Sequence, residues 1–218
     1  SLTFRIGAVD ALGCISFSNL TGDVFADVTP PTSPIITAVS VDTLTGLSTI
    51  TWGPSPEMDT DGYIILWNTP TGGIIQDTVY GRLNTTYTWP NSQAGIRPEG
   101  FILAAFDTCL VGVPPNVGPN TSPTGAQHVT VHVDPVYDQC ASTIEVGWTP
   151  YIGWEVGTYK VYVSISGSPF TLLANVAGTS TSYLHAVDPN RTYCYVVRAD
   201  RSDGTVTSLS NKVCLVSD

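Results

Sequence analysis

A chain of 218 residues with 42% hydrophobic and only 12% charged residues carries half the usual charged share of ~25%, so Thr, Ser, Asn and Gly must make up most of its surface, as in β-rich extracellular proteins. Its 18 Asp and Glu against 8 Lys and Arg give a formal charge of -10, a field that repels phosphate backbones and anionic headgroups and argues against nucleic acid as a partner. No apolar run approaches the ~20 residues of a membrane helix, which argues against insertion in a membrane.

The first patterned stretch, Phe4 to Asp10 (FRIGAVD), returns as Phe101 to Asp107 (FILAAFD) and Tyr195 to Asp200 (YVVRAD). Each copy sets an aromatic residue four positions before an alanine: Phe4 and Ala8, Phe101 and Ala105, Tyr195 and Ala199. Residues 1–29 therefore read as the C-terminal strands, an F–G hairpin, of a preceding, truncated sandwich. A lone hairpin is marginal in water, so it is expected either to come from a longer tandem array or to complete its sandwich with strands from elsewhere.

The proline cluster Thr29 to Pro34 opens a first full repeat, residues 30–124, and Asn120 to Thr124 leads into a second, residues 125–218. Landmarks recur at a fixed offset of 96 residues: strands STITW and IEVGW end on Trp52 and Trp148, the next strands carry Tyr63 and Tyr159, and Tyr87 is matched by Tyr183. Short strands alternate apolar with polar residues and are broken by turn signals at Thr71-Gly72-Gly73, Ser166 to Pro169 and Asp203-Gly204. No stretch keeps a 3.6-residue apolar period, so helix is expected to be nearly absent and the fold to be an all-β tandem of antiparallel sandwiches. Short proline-bearing linkers predict a rod with limited hinge freedom.

The tryptophan closing strand B, the tyrosine of strand C and the aromatic-to-alanine spacing of strand F resemble fibronectin type III domains over both full repeats. The longer succession TWGPSPEMDTDGYIILW, TTYTW, FILAAFDTC and NTSP, then GWTPYIGWEVGTYKVYVSISGSPFTLLANVAG, TSY and TYCYVVRADRSDGTVTSLSNKVC, is similar to the type III-like repeats that precede the secretion domain of gliding-motility-associated surface proteins exported by the type IX pathway. The resemblance implies tandem fibronectin type III or immunoglobulin-like sandwiches, an extracellular or bacterial cell-surface location, and a role without enzymatic activity. It also implies O-glycosylation at Thr43 and Thr78, which sit in Asp-Thr-aliphatic triplets.

Candidate residues sort by chemistry. Trp52, Trp148, Tyr63, Tyr159, Phe101 and Tyr195 are expected in the cores. Five cysteines show no CxxC pair and no zinc spacing. Strand alternation sets Cys194 and Cys214 on one outer face, where they could form a cross-strand disulfide; Cys140 is the competitor for either sulfur. Asp59, Asp61 and Asp107 lie in or beside the B–C and F–G loops of one pole, where carboxylates could meet a calcium ion. The alternative is turn and strand-end duty. Trp154, on a loop, could stack on a sugar ring or fold back over the sandwich end. His128 and His132, four apart on a strand, lie ~13 Å from each other, too far for one metal. No catalytic residue, cofactor-binding residue or obligatory cofactor is expected.

The reading that follows is a structural stalk or spacer whose partners are neighbouring domains of its own polypeptide. Alternatives are a carbohydrate- or calcium-dependent adhesion module, meeting glycans or other surface proteins, and a filament-forming subunit that binds copies of itself by strand exchange through residues 1–29.

Overall fold

The structure is a computed structural model and describes residues 2–23, 28–69, 72–113 and 116–218. Every regular element among them is a β-strand, and every strand pairing is antiparallel. The N-terminal segment forms two small ribbons, β1 (Leu2–Phe4) with β4 (Thr21–Asp23) and β2 (Gly7–Val9) with β3 (Ile15–Phe17).

The first sandwich has one sheet of β5 (Ile36–Val41), β6 (Ser48–Trp52) and β9 (Thr86–Thr88). The other is ordered β11-β10-β7-β8, from β7 (Thr60–Thr69), β8 (Gly72–Tyr80), β10 (Gly100–Val113) and β11 (Asn116–Thr121), with β12 (His128–Val129) also on β10. The second repeats the plan: β13 (Val133–Asp138), β14 (Thr143–Trp148) and β17 (Ser182–Ala186) form one sheet. The other is β16-β15-β18-β19, from β15 (Val156–Ile165), β16 (Thr171–Ala177), β18 (Arg191–Arg201) and β19 (Thr207–Leu209), with β20 (Val213–Ser217) also on β18. The expected all-β tandem of antiparallel sandwiches is the observed fold.

Alternation places the cores. In β6 every second residue is buried, ending on Trp52, whose ring meets Tyr63 of β7 edge-on at 5.2 Å between centroids. Trp148 and Tyr159 meet at 5.4 Å with their rings tilted by 56°. Phe101 and Tyr195, the strand-F aromatics, are fully buried in their respective clusters. Both indole N–H groups, of Trp52 and Trp148, are buried with no hydrogen-bond partner, an unmet donor that costs about 1–3 kcal/mol. Each tryptophan is therefore retained for its packing.

The two repeats close the same corner differently. At the start of β18, Tyr193 Oη accepts from Asp188 N–H at 2.9 Å and donates to Asp188 C=O at 3.3 Å, the tyrosine corner of sandwich folds. Aligning Phe101 with Tyr195 puts Glu99 at that position in the first repeat. Its fully buried carboxylate accepts from Ser48 Oγ (2.7 Å), Ser92 Oγ (2.7 Å) and Gln93 N–H (2.6 Å), so hydroxyl and main-chain donors satisfy a charge that burial would otherwise penalise.

Hydrogen bonding of the first sandwich continues past the division expected after Thr124. Pro123 interrupts the ladder without ending it: Ser122 N–H donates to Ala105 C=O and Gly125 N–H to Leu103 C=O, both at 2.8 Å, and β12 then pairs Phe101 and Gly100. The connection to β13 is thus Thr130 to His132 alone. In the second sandwich, Cys194 of β18 and Cys214 of β20 stand opposite each other with Cα atoms 4.0 Å apart and form a disulfide. Cys140, the competitor, lies exposed in the β13–β14 turn and is free.

Replacing Trp52 or Trp148 by Ala should cost about 3–5 kcal/mol by urea denaturation. Tyr193→Phe, which removes only the corner hydroxyl, should cost about 1 kcal/mol in the same assay.

Candidate functional site: the junction of the two sandwiches

β5 is an edge strand, paired only with β6. An edge leaves alternate peptide groups without ladder partners, and in β5 these are met by side chains of the second sandwich. Trp154 Nε1–H donates to Thr37 C=O (3.0 Å), Val39 N–H donates to Tyr151 Oη (3.1 Å), and Ser208 Oγ donates to Val39 C=O (2.6 Å). One residue on, Leu209 N–H donates to Ser40 Oγ at 2.9 Å. Val39 and Ser208 are almost wholly excluded from solvent, at 0% and 1% exposure.

The loop between β14 and β15 presents these side chains on a frame both repeats share. Tyr159 Oη accepts Tyr151 N–H at 2.9 Å, and Tyr63 Oη accepts Ser55 N–H at 2.7 Å, 96 residues earlier. Only the second loop carries aromatic anchors, for Tyr151 stands where the first has Ser55 and Trp154 where it has Met58. The Tyr151 and Trp154 rings stack at 4.0 Å, 28° from parallel.

Tyr151 is also the middle of a relay. Its hydroxyl oxygen accepts from Val39 and lies 2.7 Å from His128 Nδ1. With His128 neutral and its proton on Nε2, Tyr151 donates to Nδ1. Burial, helped by the positive charge of Arg201, pushes its pKa down to about 4, and burial pushes the Tyr151 phenol well up. Gly153 has φ +135°, and a Cβ there would overlap the His128 ring, so glycine is required on two counts.

The connecting residues are fastened on both sides. Thr130 Oγ1 accepts Glu99 N–H and Thr130 N–H donates to Glu99 C=O, both at 2.9 Å. His132 Nδ1 bonds Ala94 C=O at 3.0 Å, and Val129 forms a bridge with Ile152. His128 and His132 therefore belong to the junction as separate fasteners. Limited hinge freedom was expected from proline content; the contacts that hold the junction are instead side-chain hydrogen bonds across it.

Other candidates are placed as follows. Trp154 is partly exposed, with one face on Tyr151 and its N–H donating to Thr37 of the neighbouring sandwich. Asp107 is buried, with its carboxylate accepting Cys109 N–H (2.8 Å) and Asn120 Nδ2–H (3.4 Å) where β10 bulges after Phe106. Asp59 is exposed in a turn and Asp61 lies on β7. No group of three or more His, Cys, Asp or Glu gathers for a metal among the described residues. Thr78 lies on the edge strand β8. Thr43, beyond β5, lines a cavity of about 410 Å³ with Tyr162, Phe170, Arg198 and Leu209. Arg198 is held there by both carboxylate oxygens of Asp200, at 2.6 and 3.1 Å. The residues sequence reasoning missed are Val39, Ser208, Thr130 and the junction roles of Tyr151 and His128. The signal was present as the Ser55/Tyr151 and Met58/Trp154 difference between loops of equal length that lead to the same tyrosine.

His128 is depressed from an ordinary value of about 6.5 to about 4, so the folded protein binds fewer protons than the unfolded chain between those limits. Its contribution is fully present above pH ~6.5 and is lost as pH falls toward ~4. Melting temperature should therefore drop more steeply across this window in the wild type than in His128→Asn, which keeps an acceptor for Tyr151 but cannot titrate.

No family model and no curated protein matches the chain. Solved structures to which it is similar are the FN1–FN3 domains of chicken CNTN1, 18% identical over 99% of this chain and 74% of that chain with TM-score 0.33, and a two-domain fibronectin type III segment of chicken tenascin, 15% identical over 86% and 99% with TM-score 0.33. A third is the central fibronectin-III array of RIM-binding protein, 12% identical over 85% of this chain and 70% of that chain with TM-score 0.35. The fold is all-β, with antiparallel sandwiches in tandem.

Proposed function

We propose that this chain is a non-enzymatic spacer of a secreted or cell-surface protein, holding neighbouring domains of the same polypeptide at a set distance and angle. The observation that carries this reading is the junction. A flexible tether would leave the β5 edge to water, whereas here its peptide groups and the connecting residues are bonded across the two sandwiches. The Cys194–Cys214 disulfide supports an oxidising compartment. The resemblance of the strand motifs to repeats of gliding-motility-associated, type IX-exported proteins supports a bacterial cell surface as the setting. In this reading the two full repeats are the units of a rod and residues 1–29 are strands of a further unit.

A second reading is favoured by one observation. Phe4, at the position of the fully buried Phe101 and Tyr195, is 56% exposed, and Leu12 is 90% exposed. Such a bare apolar segment suits strand exchange with another subunit in a filament.

Small-angle scattering tests the spacer. The wild type should fit one elongated shape, and Tyr151→Ala combined with Trp154→Ala should broaden the distribution of maximum dimensions; a wild type already as broad as the variant sinks the reading. Removing residues 1–29 should leave mass in solution unchanged for a spacer and should abolish assembly for a filament subunit. Glycan binding lost on Trp154→Ala, or a calcium-dependent rise in melting temperature, would instead favour adhesion.

A further inference from the structure

The equivalent strands β5 and β13 manage the same exposed edge in opposite ways. Pro135 of β13 faces Val146 as Val39 of β5 faces Ile50, each pair 96 residues from its counterpart. Proline has no N–H to leave unpaired and blocks a further strand from pairing there. Two residues earlier on that edge, Val133 N–H donates to Asn211 Oδ1 at 2.7 Å and Asn211 Nδ2–H donates back to Val133 C=O at 3.1 Å. The second sandwich thus seals its own edge. β5 reads ITAVSV, with no proline and no charge, and its edge groups at Thr37 and Val39 are covered by Trp154, Tyr151 and Ser208 from the other sandwich. A six-residue, uncharged edge strand is a template for another strand once its cover is removed.

We propose that β5 is a self-pairing surface and that the second sandwich is its removable cover, so that opening the junction lets β5 pair antiparallel with β5 of a second copy of the chain. Thr37 and Val39 both turn main-chain groups toward the same edge. A two-fold axis at Ala38 sets Thr37 of each copy opposite Val39 of the other, so that the Val39 N–H given up by Tyr151 meets the Thr37 carbonyl given up by Trp154. The strand is its own complement about that axis. It also brings no charge of its own to the contact, which matters in a chain of net charge -10. This surface is separate from the N-terminal segment of the filament reading, and the two are distinguishable.

The test uses the full chain with Ser208→Glu, which sets a carboxylate against the Val39 carbonyl and forces the sandwiches apart, and with Trp154→Glu as an independent way of opening the same contact. Opening is read by small-angle scattering and mass by sedimentation over a concentration series. The wild type should be a monomer, the opened variants should dimerise with rising concentration, and Val39→Pro, copying Pro135, should return them to monomer. Ala38→Lys in the same background should do likewise by setting two like charges at the axis, at a residue that is buried but lies outside the core cluster of the first sandwich. Opened chains that stay monomeric at the highest soluble concentration overturn the proposal. So does a dimer that both Val39→Pro and Ala38→Lys leave intact but that removal of residues 1–29 dissolves, since that belongs to strand exchange. Sandwiches that remain docked in both glutamate variants overturn it too, because the cover would then not be removable.

Discussion

A peptide group at the edge of a sheet must find a partner or stay in water, and in β5 the groups of Thr37 and Val39 find theirs on another sandwich. That constraint explains why the junction has the side chains it has. Hydroxyl and indole groups substitute for a strand: the Tyr151 oxygen accepts where a carbonyl would, and the Ser208 hydroxyl and Trp154 N–H donate where amides would. Because Val39 and Ser208 are out of water, leaving the Val39 N–H or carbonyl unmet costs more than the bond itself contributes. The angle between the sandwiches is thereby tied to hydrogen-bond geometry.

The two repeats share one frame, and the residues set on it differ in what they do. The C-strand tyrosine pins the following loop in both repeats, but Tyr151 and Trp154 make the second loop a grip while Ser55 and Met58 leave the first without aromatic anchors. A comparable exchange occurs at the corner before strand F, where Tyr193 and Glu99 close the same turn with a phenol and a carboxylate. Glu99 has a further duty, since its main chain is bonded to Thr130 in both directions. The internal corner of the first sandwich and the start of the second are therefore one connected patch.

Period and alternation made the sandwiches legible before any coordinates. Trp52, Trp148, Tyr63 and Tyr159 recur at one offset on strands whose alternate residues are apolar, and burial of one face follows directly from that pattern. The cross-strand sulfur pair was legible for the same reason, as outward positions on neighbouring strands. The junction was not, because it joins Val39 to Ser208 across 169 residues, and no local period encodes a contact at that separation. Pro123 reads as a boundary, and residues on both sides of it are bonded to β10.

The disulfide bears on how the chain would stretch under load. A pull on the end of the chain can peel Leu215 to Ser217 from β18, but at Cys214 the load passes through sulfur to Cys194, so β20 cannot be stripped past that point. Unravelling of the second sandwich would release less contour length, because the 20-residue span from Cys194 to Cys214 stays closed and withholds roughly 70 Å at full extension. The first sandwich, whose final strands carry no covalent tie among the described residues, would give way along its whole length and serve as the more compliant member of the pair.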